Sequence, residues 1–159
     1  MGADQSQAGF ERTYVDTSVW IAMLTQEANA EDVLSYLERK QQHLLTAEWT
    51  RTELASALGI KARRKELTQA QVSEVLEKFE LWISAGLNVA PVQSDDFYIA
   101  AKMCENTESR LRAGDALHLS VAKRHEVSYV FTLDHDMQRG AQSLGMQIIE
   151  SYDQQKFTH

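Results

Sequence analysis

Thr13-Tyr14-Val15-Asp16-Thr17-Ser18-Val19-Trp20-Ile21-Ala22-Met23-Leu24 changes from one kind of structure to another in the space of a single acidic turn. The β-branched and aromatic Thr13-Tyr14-Val15 reads as a short strand, and residues 19–24 read as a short helix directly after it. The same alternation continues outward. Val33, Leu34 and Leu37 mark one face of a second helix, residues 43–46 a strand, and residues 49–64 a helix. Thr68 with Gln71 is a capping box opening a long amphipathic helix that carries Val72, Val75, Leu76, Phe79 and Ile83 and ends at Gly86. Residues 87–92 read as a strand, and Ser94 as the cap of a helix with Phe97, Ala100, Ala101 and Cys104. A helix after Gly114 carries Leu117, Val121 and Ala122. Residues 129–132 form a strand, a short helix follows and closes at Gly145, and residues 147–149 are the last strand. Strands separated by helices predict an α/β fold: three layers, α/β/α, around a mostly parallel sheet.

Composition bounds the rest. A chain of 159 residues is one ordinary domain. With 43% hydrophobic and 25% charged residues it is neither disordered, collagenous nor a coiled coil. Sixteen Lys and Arg against 23 Asp and Glu give a formal charge of −7, so a phosphate ligand needs a local basic patch or a bound cation. The single Cys104 excludes an internal disulfide framework and a cysteine-based zinc site, and fits a reducing cytoplasm. No run of about 20 apolar residues offers a membrane span. The first nine residues lack Lys, Arg and an apolar core, unlike a secretion signal. The expected organisation is a tail over residues 1–10, one domain over 11–152 and a tail over 153–159.

Ligands in such sheets bind beyond the carboxyl ends of the strands. Asp16 follows the first strand, and Asp134 follows residues 129–132, with Asp136 two positions on. Either could simply cap the next helix. Glu53 lies on a stripe with Trp49, Ala57 and Ile60, or else completes a capping box with Thr50. Asp115 shares a stripe with Leu111, Leu119 and Ala122, just after Gly114. Taken together, these acids have no obvious Lys or Arg partner nearby in sequence. Two carboxylates about 4 Å apart repel by about 4 kcal/mol at a surface-like dielectric. Such a cluster protonates or recruits a divalent cation, and all-oxygen ligands favour Mg²⁺ or Mn²⁺ over zinc.

Tyr14-Val15-Asp16-Thr17-Ser18, Arg51-Thr52-Glu53-Leu54, Gly114-Asp115-Ala116-Leu117-His118 and Thr132-Leu133-Asp134 resemble the PIN-domain nucleases, and more narrowly the VapC-type toxins of toxin–antitoxin pairs. The resemblance spans residues 12–150 and implies a PIN-like domain that hydrolyses RNA phosphodiester bonds with Mg²⁺ or Mn²⁺. It implies Asp16, Glu53, Asp115 and Asp134 as the catalytic acids. Ser18 would be the hydroxyl steadying the site, and Thr132 the threonine before the last acid. Asp16, Asp115 and Asp134 would hold the metal, Glu53 completing the shell or orienting water, and Asp136 replacing or assisting Asp134. A homodimer and a cognate antitoxin are implied as well.

Arg112, just before Asp115, reads equally as a phosphate contact or as a solvated charge; Lys61, Arg63, Arg64 and Lys65 read as a solvated helix end. His118 shares a helix face with Asp115, but no second histidine joins it at ligand spacing, which favours a packed, hydrogen-bonded ring. The rival enzyme is another Mg²⁺-dependent phosphohydrolase. Those with an aspartyl nucleophile need a second Asp where this chain has Ser18. The non-enzymatic rival is an inactive PIN-like binding module that keeps its acids only as caps.

Overall fold

Strands buried on both sides require helices on both sides, and this chain supplies them. The computed structural model describes residues 11–150, so both expected tails lie outside the described residues. Five strands, β1 (Thr13–Val15), β2 (Leu44–Ala47), β3 (Asn88–Ala90), β4 (Tyr129–Phe131) and β5 (Gln147–Ile148), form one sheet in the order β3-β2-β1-β4-β5. Every pairing is parallel. Every residue of β1 and β2 is buried. The connecting helices are α1 (Thr17–Leu24), α2 (Ala30–Arg39), α3 (Trp49–Arg63), α4 (Gln69–Ser84), α5 (Ser94–Glu105), α6 (Ala113–Arg124) and α7 (His135–Ser143).

Side chains alternate along each strand and so feed two separate cores. Val15, Leu44 and Phe131 pack against Trp20 of α1, Leu54 and Leu58 of α3, and Val72, Val75 and Phe79 of α4. Trp20 meets Phe79 and Trp82 edge-on, with ring centroids 5.3 and 5.5 Å apart. On the opposite face Tyr14, Leu45 and Val130 pack against Leu119 and Val121 of α6 and Met137 and Ala141 of α7. The expected three-layer arrangement is the observed one.

Local signals hold where the interaction is local. The Thr68 box is complete: Gln71 N–H donates to Thr68 Oγ1 at 3.2 Å, and Thr68 N–H to Gln71 Oε1 at 2.8 Å. Four expectations shift. Helix α1 begins at Thr17, two residues early, because the Asp16 carbonyl already accepts from Val19 N–H at 3.1 Å. Strand β2 begins after His43, which closes a 3-10 turn (Gln41–His43), and β3 to β5 are shorter than their apolar runs. Ser94 is the first residue of α5, not its cap. Gln93 holds the cap position, and its N–H donates to Asp96 Oδ2 at 2.8 Å. Asp96 is wholly buried and takes two bonds from Arg124, at 2.9 and 2.8 Å, and that pairing decides where α5 starts. Lastly, α6 opens at Ala113 with Arg112 as its N-cap, so Gly114 falls inside the first turn.

Candidate active site

The chain leaves β1 for β2 on one side, while β4 lies on the other, so the carboxyl ends of β1 and β4 flank the point where strand order reverses. That is where parallel sheets open a crevice. Asp16 N–H donates to the Phe131 carbonyl at 2.9 Å, which ties the two strand ends together. Asp16 occupies the N-cap position of α1, yet its side chain caps nothing. Its Oδ2 instead accepts from Ser18 Oγ at 2.7 Å and from Thr132 Oγ1 at 2.8 Å. The two hydroxyls in turn accept backbone N–H groups beyond β4, Leu133 on Ser18 at 3.0 Å and Asp134 on Thr132 at 3.1 Å. Asp16 and Thr132 are both buried, so these bonds replace water on a carboxylate that would otherwise be costly to bury.

Glu53 comes from α3. Its Oε1 accepts from Thr17 Oγ1 at 2.8 Å and from His118 Nε2. The capping-box alternative for Glu53 falls, because Thr50 is spent elsewhere. Its hydroxyl bonds Thr46 Oγ1 at 2.7 Å, and Thr46 donates to the Val15 carbonyl at 2.8 Å. The supposed apolar stripe through Glu53 also fails, since Ile60 is 39% exposed. The buried stripe of α3 is Thr50, Leu54 and Leu58, and Glu53 sits at its margin, half-buried.

His118, wholly buried on α6, joins the two acids. Its Nε2 lies 3.4 Å from Asp16 Oδ1, and its Nδ1 lies 2.6 Å from the Tyr14 hydroxyl. One ligand atom from each of Asp16, Glu53 and His118 lies within 4.8 Å of the others. Burial works to raise the Glu53 pKa, but the hydrogen bond and charge of His118 outweigh it and hold the carboxyl below its usual value. Burial works to lower that of His118, but the bond to Glu53 and the nearby acids raise it.

Asp115 and Asp134 stand outside that three-residue group, near enough for the charges of Asp134 and Asp16 to act on Asp115. Burial first, then the charges of Asp134 and Asp16, push the Asp115 carboxyl up to about 6. The part of that push that follows burial comes from like charge on the neighbouring acids. Asp134 spends Oδ1 on capping α7, accepting from Met137 N–H at 2.8 Å. Asp136 pairs with Arg139 instead. Arg112 is exposed at the N-terminus of α6. Arg51 pairs with Glu48 and Glu80, and Lys61 with Glu27 and Glu66, which accounts for those charges structurally. Among the described residues, no Lys or Arg makes an ion pair with Asp16, Glu53, Asp115 or Asp134. Oxygen donors lacking such partners, one of them resisting ionisation, fit a hard divalent cation.

Sequence reasoning kept His118 as a packed, hydrogen-bonded ring, which it is, but did not foresee that its partners are Glu53 and Asp16. The three-residue spacing from Asp115 was the available signal. Gly114 was missed as well. A Cβ there would stand 2.8 Å from Glu53 Oε2 and 3.4 Å from Trp49 Nε1. Gly114→Ala is therefore expected to leave melting nearly unchanged, because a flexible carboxylate can yield, while displacing Glu53. If Glu53 acts in catalysis, turnover falls by as much as about 100-fold. Parallel melts and rate measurements check this, and unchanged turnover would count against it.

The family model described as PIN domain matches residues 13–143. Among solved structures, a Mycobacterium tuberculosis member of the VapBC family of toxin–antitoxin systems, VapBC-5, is 25% identical, with a TM-score of 0.57 over 87% of this chain and 98% of that one. FitAcB from Neisseria gonorrhoeae is 16% identical, with a TM-score of 0.67 over 88% of this chain and 98% of that one. VapC20, a sarcin–ricin loop cleaving toxin of Mycobacterium tuberculosis, is 16% identical, with a TM-score of 0.64 over 80% of this chain and 94% of that one. At that identity the last two share the fold with this chain. No curated protein matches it.

Proposed function

Because this chain belongs to the PIN domain family, we propose that it is a divalent-cation-dependent endoribonuclease and the toxin of a toxin–antitoxin pair. The observation that carries the proposal is the acidic edge itself. Asp16, Glu53, Asp115 and Asp134 come from four elements, and the charges of Asp134 and Asp16 act directly on Asp115. An inactive module that kept these acids only as caps would give each its own helix end. Asp134 caps α7 and Asp115 accepts from the Arg112 N–H at the start of α6, but Asp16 caps nothing and Glu53 takes its bonds from Thr17 and His118.

In this reading Asp16, Asp115 and Asp134 would hold Mg²⁺ or Mn²⁺, with Glu53 completing the shell or orienting the attacking water. A bound ion of this kind neutralises phosphate charge and lowers the pKa of water. Ser18 and Thr132 fix the Asp16 carboxylate through one oxygen, which sets the direction of the other. Arg112 contacts a substrate phosphate. Hydrolysis is direct, with no covalent intermediate on the protein. RNA is the substrate favoured because the similar VapC20 is described as a sarcin–ricin loop cleaving toxin. An antitoxin partner is favoured because one similar structure is a toxin–antitoxin complex from Klebsiella pneumoniae and another a member of the VapBC family of toxin–antitoxin systems. The homodimer implied by the resemblance belongs to the same proposal. No helix of the described residues is long and apolar enough to cross a membrane.

The test incubates purified protein with a panel of structured RNAs in Mg²⁺, in Mn²⁺ and in EDTA, beside a phosphate monoester. Cleavage of RNA that EDTA abolishes is the expected result. Release of phosphate from the monoester alone, or silence toward every substrate, overturns the proposal. Growth arrest on expression without antitoxin checks the toxin role separately.

A further inference from the structure

Asp16 and Glu53 each have one oxygen held by two close donors and the other held more loosely. Asp16 Oδ2 takes both hydroxyls, from Ser18 and Thr132. Glu53 Oε1 takes both Thr17 Oγ1 and His118 Nε2, and Oε2 lies beside Gly114 at the start of α6, where the Trp49 indole N–H also acts on the carboxylate. Anchoring one oxygen of a carboxylate fixes the direction of the other, which is what a pre-set ligand needs. Ser18 and Thr132 do this for Asp16. For Glu53 the donors are Thr17 and the ring of His118.

The placement of His118 suits a donor rather than a ligand. Its side chain is wholly buried, whereas that of Glu53 is 30% exposed, so the ring lies beneath the carboxylates and away from the opening. Nε2 faces three oxygens: Glu53 Oε1, Asp16 Oδ1 at 3.4 Å and Thr17 Oγ1 at 3.2 Å. Two of these belong to carboxylates, so a proton on Nε2 satisfies them and a lone pair there would repel them. At the other end of the ring, Nδ1 meets the Tyr14 hydroxyl at 2.6 Å, with the two rings edge-on at 5.6 Å. With a proton on Nε2, Nδ1 accepts from the phenol in the neutral ring and donates to it in the charged one, so Nε2–H serves Glu53 in both states. Tyr14 stands two residues before Asp16 on β1, so one strand fixes both the acid and the ring that faces it.

We propose that His118 is a positioning residue, whose Nε2–H, oriented by the Tyr14 hydroxyl, holds Glu53 beside Asp16 so that the two carboxylates are set for a divalent cation. This rests on the reading of the acids as a cation site, and the test separates the two. Mn²⁺ alone is titrated into the wild-type protein and into His118→Leu, His118→Gln and Tyr14→Phe, with bound ion followed by electron paramagnetic resonance. Loss of a donor behind a ligand costs about 10- to 100-fold in affinity. His118→Leu is expected to show that loss. His118→Gln, whose amide can donate from the same place, recovers most of it. Tyr14→Phe loses a smaller, few-fold part. Pulsed spectra of wild-type Mn²⁺ are expected to show no directly coordinated ring nitrogen. If Mn²⁺ binds the wild type and all three variants alike, the positioning role is overturned while the cation site stands. Direct nitrogen coupling overturns it too, by making His118 a ligand. If the wild type binds no Mn²⁺, the cation site fails and the proposal falls with it. Should His118→Leu not fold, unchanged affinity in Tyr14→Phe decides against the proposal.

Discussion

Asp16→Asn is expected to lower RNA cleavage by at least about 100-fold, the scale of a few kcal/mol of lost transition-state charge stabilisation. The fold should survive, for a reason visible at the residue. The oxygen that anchors the side chain, Oδ2, takes both the Ser18 and Thr132 hydroxyls, and an amide oxygen can take them equally well. What the substitution removes is the charge on the other side. The charge of Asp16 also acts on Asp115, so its loss lets the Asp115 carboxyl fall back from about 6 toward its usual value. The variant should stay folded but melt somewhat below wild type, because its amide NH2 faces His118 Nε2–H, while losing both turnover and Mn²⁺ binding. Rates from gel assays, calorimetric melts and a titration of Asp115 by NMR check the three parts. A folded variant with wild-type turnover would remove Asp16 from the mechanism.

Asp115→Asn carries the second large effect, this time on stability. Its carboxyl is raised from 3.8 to about 6, so the folded state holds the proton more tightly than the unfolded chain does. Its contribution is favourable below the unfolded value and is lost as pH rises through about 6, where the folded protein must ionise a group its surroundings resist. The full shift corresponds to about 3 kcal/mol, and the solvent that reaches this half-buried group reduces that to about 1–2 kcal/mol. In EDTA at pH 7.5 the Asn variant should therefore be more stable than wild type by that amount, and the gap should close by pH 4. Glu53 runs the other way. Its pKa is depressed, so its contribution is present above the usual carboxyl value and is lost in acid. His118 is raised, so its contribution is present below the usual histidine value and is lost as pH climbs past its folded pKa. Two of the three groups thus weaken the metal-free fold above neutrality. A divalent cation should raise the wild-type melting temperature more at pH 7.5 than at pH 5. Equal shifts at both pH values would contradict the shared-field account of Asp115.

A cap illustrates what was legible and what was not. Thr68 and Gln71 are three residues apart, and their two hydrogen bonds close within one turn, so inspection of the sequence was enough. Ser94 has the right chemistry to cap α5, yet it lies inside the helix because Asp96 is pinned by Arg124 from α6. No local rule contains that partner. The candidate site divides in the same way. Asp16 and Asp134 were conspicuous because each follows an apolar run that reads as a strand. Glu53 was harder, since its partners Thr17 and His118 come from α1 and α6. His118 was read correctly as packed, but no spacing rule could reveal what it packs against.

By itself the sequence determined the alternation of strands and helices and offered the candidate acids at the ends of its strands and on its helices. Those are properties of short windows, governed by side-chain shape and by bonds that close within a turn. Only the tertiary structure decided which charges meet. Thr132 and Asp16 are 116 residues apart in the chain but share a hydrogen bond, because β4 lies beside β1 in the sheet. Strand order is chosen by how the two apolar faces are buried, and the electrostatics of the site follow from that order.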